Sequence, residues 1–157
     1  MVDIKMNVKG MRELEGALIA LQKEYGGKAA TQAMRPAMKA AMAPLVSDVV
    51  GGTPVDSGDL RDSTKVKIGK PTKKMVSSSA HYNSTTIIYG QVGWYWSGKS
   101  LWTQALAVEF GTQELPANEV LRGTFDRENA GMVQRFKDTL GPSIEKKAKS
   151  LAKKRTK

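Results

Sequence analysis

Thr53-Pro54-Val55-Asp56-Ser57-Gly58-Asp59-Leu60-Arg61 is the stretch on which the fold turns. Pro presets φ, Gly admits a positive φ, and the short Asp and Ser side chains bond nearby amides, so the segment specifies a backbone path. The chain changes period across it. Upstream, Ala30, Ala33, Met34, Ala37, Met38, Ala41, Met42, Leu45, Val46, Val49 and Val50 step by three and one, which is one face of a long helix. Downstream, Val66 and Ile68 alternate with Lys65 and Lys67, the period of a strand. A helix face, a turn and a strand in that order predict a fold that mixes the two element types.

Working outward, Gly51-Gly52 caps the long helix, and Pro36 and Pro44 fall on its polar side. Each proline removes a donor and crowds the preceding turn, so a kinked or interrupted rod is expected. The Met and Ala stripe reads as core, since each buried Met, Leu or Val side chain yields about 1.5–3 kcal/mol. Before it, Met11, Leu14, Leu18, Leu21 and Tyr25 predict a first helix that Gly26-Gly27 stops. Earlier still, Val2, Ile4, Met6 and Val8 alternate with polar residues up to Gly10 and predict an opening strand. After the central turn, Lys70 to Ser79 has the composition of a mobile loop, and Thr85 to Val92 reads as a strand returning to pair with the first in a long antiparallel hairpin.

A second turn motif, Ala107-Val108-Glu109-Phe110-Gly111-Thr112, runs into Leu115-Pro116-Ala117. Helical spacing then resumes with Val120, Leu121, Phe125, Met132, Val133, Phe136 and Leu140. Gly141-Pro142 is expected to break it and to start a last helix bearing Ile144, Ala148 and Leu151. No internal repeat is present. The reading is an α+β fold, an antiparallel sheet with a long hairpin packed against two N-terminal helices, followed by C-terminal helices with a basic tail. Residues 1–142 are expected to form one α+β domain, and 143–157 a basic C-terminal helix or tail.

At 157 residues the chain is long enough for one self-sufficient core. Without cysteine it has neither disulfides nor thiolate ligands. No apolar run approaches the length of a membrane span, and Met1-Val2-Asp3-Ile4-Lys5 lacks the core of a signal peptide, so a soluble, unprocessed product is expected. The formal charge is +10. Over half of that excess is terminal, because Lys146, Lys147, Lys149, Lys153, Lys154, Arg155 and Lys157 face Glu145 alone after Ser143. Such a tail is a candidate contact for DNA or for an acidic protein surface, with a strong salt dependence; a solvated, frayed helix end is the plainer alternative.

Three motifs invite an enzymatic reading. Gly93-Trp94-Tyr95-Trp96-Ser97-Gly98-Lys99-Ser100 fits GxxxxGK[ST], but three large aromatics are awkward in a loop that must wrap a diphosphate, and the only downstream aspartates, Asp126 and Asp138, lie in helical patterns. The segment reads better as a hairpin end or an exposed aromatic patch. Asp56-Ser57-Gly58 is the aspartic protease triplet, yet it follows Gly-Gly-Thr-Pro where an apolar strand is required, and Asp56 reads as a turn former. His81 is the sole histidine and has no cysteine or second histidine with which to hold zinc. No catalytic, metal or cofactor residue is assigned.

The order of these parts resembles the tail-component family of long-tailed bacteriophages, the neck or tail-completion proteins that act at the head-to-tail junction. The resemblance spans roughly residues 4 to 127. It rests on the opening strand, Gly10 and a leucine-bearing helix, the Ala-rich helix, the Thr53–Arg61 turn, and Val108-Glu109-Phe110-Gly111-Thr112 followed by Pro116-Ala117 and Leu121-Arg122. Asn118-Glu119-Val120 and Gly123 depart from the family's usual prolines after Pro116-Ala117 and after the Leu-Arg pair. The resemblance implies a non-enzymatic virion protein, assembled in the host cytoplasm as a homo-oligomeric ring of six copies, with head connector, tail terminator or tail tube proteins as neighbours. It carries the structural signature Pro54, Asp56, Gly58, Leu60, Arg61, Glu109, Phe110, Gly111, Thr112, Pro116, Ala117 and Leu121.

Within that signature, Asp56, Arg61 and Glu109 are expected to hold the two turns through polar contacts, Arg61 by pairing a carboxylate. Trp94, Tyr95 and Trp96, with Lys73, Lys74 and Met75 of the loop, are candidate contacts to neighbouring copies or rings. Lys146, Lys147, Lys149, Lys153, Lys154 and Arg155 are candidate contacts for DNA or an acidic surface. The rival reading is a sequence-independent nucleic-acid-binding protein, which the charge supports and the lack of any recognisable reading module opposes.

Overall fold

A computed structural model of the chain describes residues 9–78, 80, 88–95 and 100–155. The elements run α1 (Lys9–Tyr25), α2 (Gly27–Gly52), α3 (Asp59–Asp62), β1 (Thr64–Gly69), α4 (Lys73–Ser78), β2 (Tyr89–Trp94), α5 (Ser100–Phe110) and α6 (Val120–Arg155). The opening strand expected over residues 2–8 lies outside the described residues, as do His81, Trp96, Lys99 and the start of the expected strand from Thr85.

The frame is α2 lying antiparallel against α6, the most extensive helix contact in the fold. The stripe read from the sequence is the buried face of α2: Ala30, Ala33, Ala37, Ala41, Met42, Leu45 and Val49 are all buried. Its alanines allow the backbones to approach, and larger side chains of α6 fill the space. One core cluster gathers Leu21, Ala29, Ala33, Ala37, Leu140 and Ile144, with Leu14, Leu18 and Leu151 against its edge. A second joins Val49, Leu60, Trp94, Ala105 and Val120 at the other end of α2.

Among the described residues, β1 and β2 form a two-stranded antiparallel sheet with Val66 opposite Val92 and Ile68 opposite Gly90. The sheet lies on the methionine side of α2. The sheet packs closely on this side: a Cβ at Gly90 would run into Met42 Sδ and stand 2.7 Å from Met38 Cε, so both methionine ends would have to shift to admit one. Met11, Met38, Met42, Met132 and Phe136 line an apolar groove of about 340 Å³ between α2, β2 and α6.

Several expectations are corrected. α2 is one continuous helix through Pro36 and Pro44, so of the kinked or interrupted rod expected there, the interruption does not occur. Pro36 is exposed, so the carbonyl that loses its donor is open to solvent, while the buried alanine face keeps the rod together. The break at Gly141-Pro142 does not occur either: α6 is continuous over 36 residues. An interior proline costs about 3 kcal/mol. Burial of Leu140, 1% exposed, and Ile144, 7% exposed, on either side of it returns about 1.5–3 kcal/mol each, so packing wins.

The Lys70–Ser79 segment contains a short helix where a loop was expected. The missed signal is Thr72, whose Oγ1 accepts from the Met75 amide at 3.2 Å as an N-cap. At the other end the Ser77 and Ser78 hydroxyls donate to the Lys74 carbonyl. β2 runs to Trp94, past the expected end at Val92, and the 11-residue α5 was not read from the sequence at all.

Candidate functional site

The two turn motifs, some fifty residues apart in sequence, meet at one end of the α2–α6 pair. The first begins where α2 ends. The Thr53 amide and hydroxyl both donate to the Val49 carbonyl, and the same hydroxyl oxygen accepts from Trp94 Nε1 at 3.1 Å. A helix end is thereby tied to a strand end by one buried threonine. Beyond Pro54, Gly58 takes φ of 88° and its carbonyl accepts from the Asp62 amide, opening α3. The Ser57 hydroxyl donates to Asp59 Oδ2 at 2.8 Å, and Leu60 is driven into the core.

The second turn follows α5. Gly111 takes φ of 75° and its amide donates to the Ala107 carbonyl, the left-handed helix stop. A Cβ there would stand 2.7 Å from the Ala117 amide nitrogen and 2.8 Å from the Leu115 carbonyl oxygen. Thr112 Oγ1 accepts from the Glu114 and Leu115 amides, and the Thr112 amide donates to the Leu115 carbonyl, closing a tight loop. Asn118 then bridges the motifs: its amide donates to the Val108 carbonyl, and its Nδ2 donates to the Gly52 carbonyl at 3.3 Å.

Glu109 is the keystone. It is 8% exposed, and its carboxylate accepts from the Leu121 amide at 2.8 Å and the Arg122 amide at 3.0 Å. Those are two of the four amides that a helix N-terminus leaves without intrahelical partners, at the positive end of the α6 dipole. One side chain on α5 therefore starts a helix that begins eleven residues later.

The other signature residues divide by burial. Leu60 is buried and Leu121 half-buried, whereas Pro54, Asp56, Arg61, Phe110, Thr112, Pro116 and Ala117 are exposed. Arg61 does not pair a carboxylate: the ion pairs among the described residues are Arg122–Glu119 and Arg135–Glu128, and Arg61 points outward from a one-turn helix whose Asp59 is engaged by Ser57. Asp56 bonds no backbone amide among the described residues. Among the exposed side chains of this end are three apolar ones, Val55 at 62%, Phe110 at 63% and Leu115 at 62% exposed.

Of the aromatic corner, Trp94 is in the core at 8% exposed. Its ring fills the space between α2, α3 and α5, and its N–H has a partner inside, so it is not part of a surface patch. Tyr95 is half-buried, with the Lys67 ammonium 3.7 Å from its ring centre. Gly93 and Trp94, the first two positions of the GxxxxGK[ST] match, are strand residues and not part of a loop. Lys73 and Lys74 are exposed on α4, and Met75 is half-buried.

Lys146, Lys149, Lys153 and Lys154 line a shallow groove with Pro142 and Glu145 on the outer face of α6, and Lys147 is half-buried beside it. Among the described residues no three His, Asp or Glu side chains converge as on a metal ion, and no helix is long and apolar enough to cross a membrane.

No curated protein and no solved structure gives a match to the chain. The sequence profile of the family described as "Bacteriophage HK97-gp10, putative tail-component" matches residues 17–111, well over half of the chain. The matched span runs from α1 through the first turn to the glycine that ends α5, and stops short of Pro116, Ala117 and Leu121. The chain belongs to this family of HK97-gp10-like bacteriophage tail components.

Proposed function

We propose that this protein is a structural component of the phage neck, a tail completion protein that closes a homo-oligomeric ring at the head-to-tail junction, between head connector and tail tube. It works by presenting surfaces and catalyses nothing. The observation that carries this reading is the use made of the polar groups in the two motifs. Thr53, Glu109, Thr112 and Asn118 all bond backbone atoms or, for Thr53, the Trp94 ring nitrogen as well. They hold a rigid end from which Val55, Phe110 and Leu115 project. A ring needs such an end, because each copy shows a different face to each neighbour and the closure angle depends on rigid joints.

α4, with Lys73, Lys74 and Met75, is proposed as a second contact to adjoining copies or to the tail terminator. Removal of residues 71–79 is then expected to abolish assembly and leave the monomer folded. The family membership supports a place in the virion, with assembly in the host cytoplasm.

The direct test is removal of the gene from the phage. Filled heads and free tails should accumulate unjoined, and the protein supplied in trans should join them. Infectious, complete particles without it would end the proposal.

A second reading, a sequence-independent nucleic-acid-binding protein, is favoured by the lysine face of α6. Gel shifts across a salt series separate the two. Strong binding by a monomer supports this second reading, and rings with feeble binding support the neck protein.

A further inference from the structure

We infer that the lysine face near the end of α6 docks on the two-turn end of a second copy of this chain, which makes the joint between neighbouring subunits head-to-tail. This rests on the ring reading above and names the surfaces that form the ring.

The first observation is a cleft of about 280 Å³ between the turns. Pro54, Leu60, Ala107, Val108 and Leu115 give it apolar walls, and Asp56 stands among them. Asp56 makes no hydrogen bond or ion pair among the described residues, although the turn that carries it is otherwise tightly bonded. An apolar slot beside a carboxylate is the environment a lysine side chain takes, with its methylene stem against the walls and its ammonium at the acid.

Charge complementarity supplies the occupant. In a chain of net +10, this end exposes Asp56, Asp59, Asp62 and Glu114 against Arg61 and Lys65, Glu119 and Arg122 having paired each other. The outer face of α6 carries Lys146, Lys149 and Lys154 against Glu145.

The two surfaces cannot meet within one molecule. The turns sit at the start of α6, beside Val120, and the helix from there to Lys146 is about 40 Å long at about 1.5 Å per residue. The match is therefore between copies, and because the two surfaces differ, the contact is heterologous, the kind that closes rings. Phe110 and Val55, exposed at the rim, add apolar area that a backbone of phosphates would leave in water.

The test uses two charge-reversed proteins. One carries Asp56→Lys, Asp62→Lys and Glu114→Lys; the other carries Lys146→Glu, Lys149→Glu and Lys154→Glu. All six positions are exposed, so both should keep the wild-type circular dichroism and melting temperature. In sedimentation velocity each alone should associate at least about tenfold more weakly than wild type, whereas the equimolar mixture should recover to within about threefold, because every reversed face then meets a reversed partner.

Because the chain has no cysteine, Asp56→Cys in one copy and Lys149→Cys in another should also cross-link uniquely with a short bis-maleimide. Failure of the mixture to recover, or absence of that cross-link in assembled protein, overturns the inference. So does wild-type association by the lysine-reversed protein together with loss of DNA binding, which would assign this face to nucleic acid. If the variants form rings as wild type does, this contact is wrong while the ring stands; if wild type forms no oligomer, alone or in particles, both fall.

Discussion

Replacement of Glu109 by alanine is the sharpest test of how this fold is held. The carboxylate is buried and accepts from two amides of the α6 N-terminus, at 2.8 and 3.0 Å. Hydrogen bonds to a charged group contribute about 1.5–3 kcal/mol each, and the charge also complements the helix dipole. Alanine removes both bonds, but water can reach the amide of the exposed Arg122, so the net loss is expected near 3 kcal/mol. In a chain of this size that lowers Tm by about 6–12 °C. Glu109→Gln keeps an acceptor for one amide and should lose about half as much.

The assay is urea denaturation, in which the midpoint falls and the slope m stays unchanged if only the folded state is affected. Amide exchange at Leu121 and Arg122 should quicken in step. Glu114→Ala, an exposed carboxylate four residues beyond the end of α5, is the control and should change stability by less than about 0.5 kcal/mol. If Glu109→Ala falls within that same margin, the carboxylate does not start α6 and the argument for a rigid two-turn end fails.

Three further outcomes are expected. Gly111→Ala should destabilise by about 2–4 kcal/mol, because a positive φ and two backbone contacts below 3 Å add to each other; a neutral result in thermal melts would contradict that turn geometry. Trp94→Phe should lose about 1 kcal/mol with its bond to Thr53, and Trp94→Ala about 3–5 kcal/mol, a spread that calorimetry would resolve; no loss for Trp94→Phe would mean the indole N–H has no buried partner. Pro142→Ala should stabilise by about 1–3 kcal/mol, since the helix already passes through that position with Pro142 exposed; a loss of helicity or of stability would show that α6 is not continuous there.

Whatever depends on near neighbours can be read along the chain. The buried face of α2, the apolar residues of α1 and α6, the alternation of β1, the glycines that stop α1 and the turn at Gly111 were all legible, because helix period, strand period and turn stereochemistry are set within a few residues. Thr72 could have been read as a cap by the same local rule.

The rest depends on partners far apart in the chain. Pro142 reads locally as a helix breaker, and the helix survives it because Leu140 and Ile144 are anchored against α1 and α2. Trp94 reads as one of three surface aromatics, and it is buried because Val49, Leu60 and Ala105 close around it. Arg61 has charged neighbours in sequence, but its one-turn helix aims it at solvent. Glu109 capping α6, and Asn118 reaching the end of α2, join segments whose meeting depends on how the two long helices cross. Periodicity reports which face of an element is apolar. It carries no term for which distant element will cover that face, and that choice placed both turns at one end of the molecule.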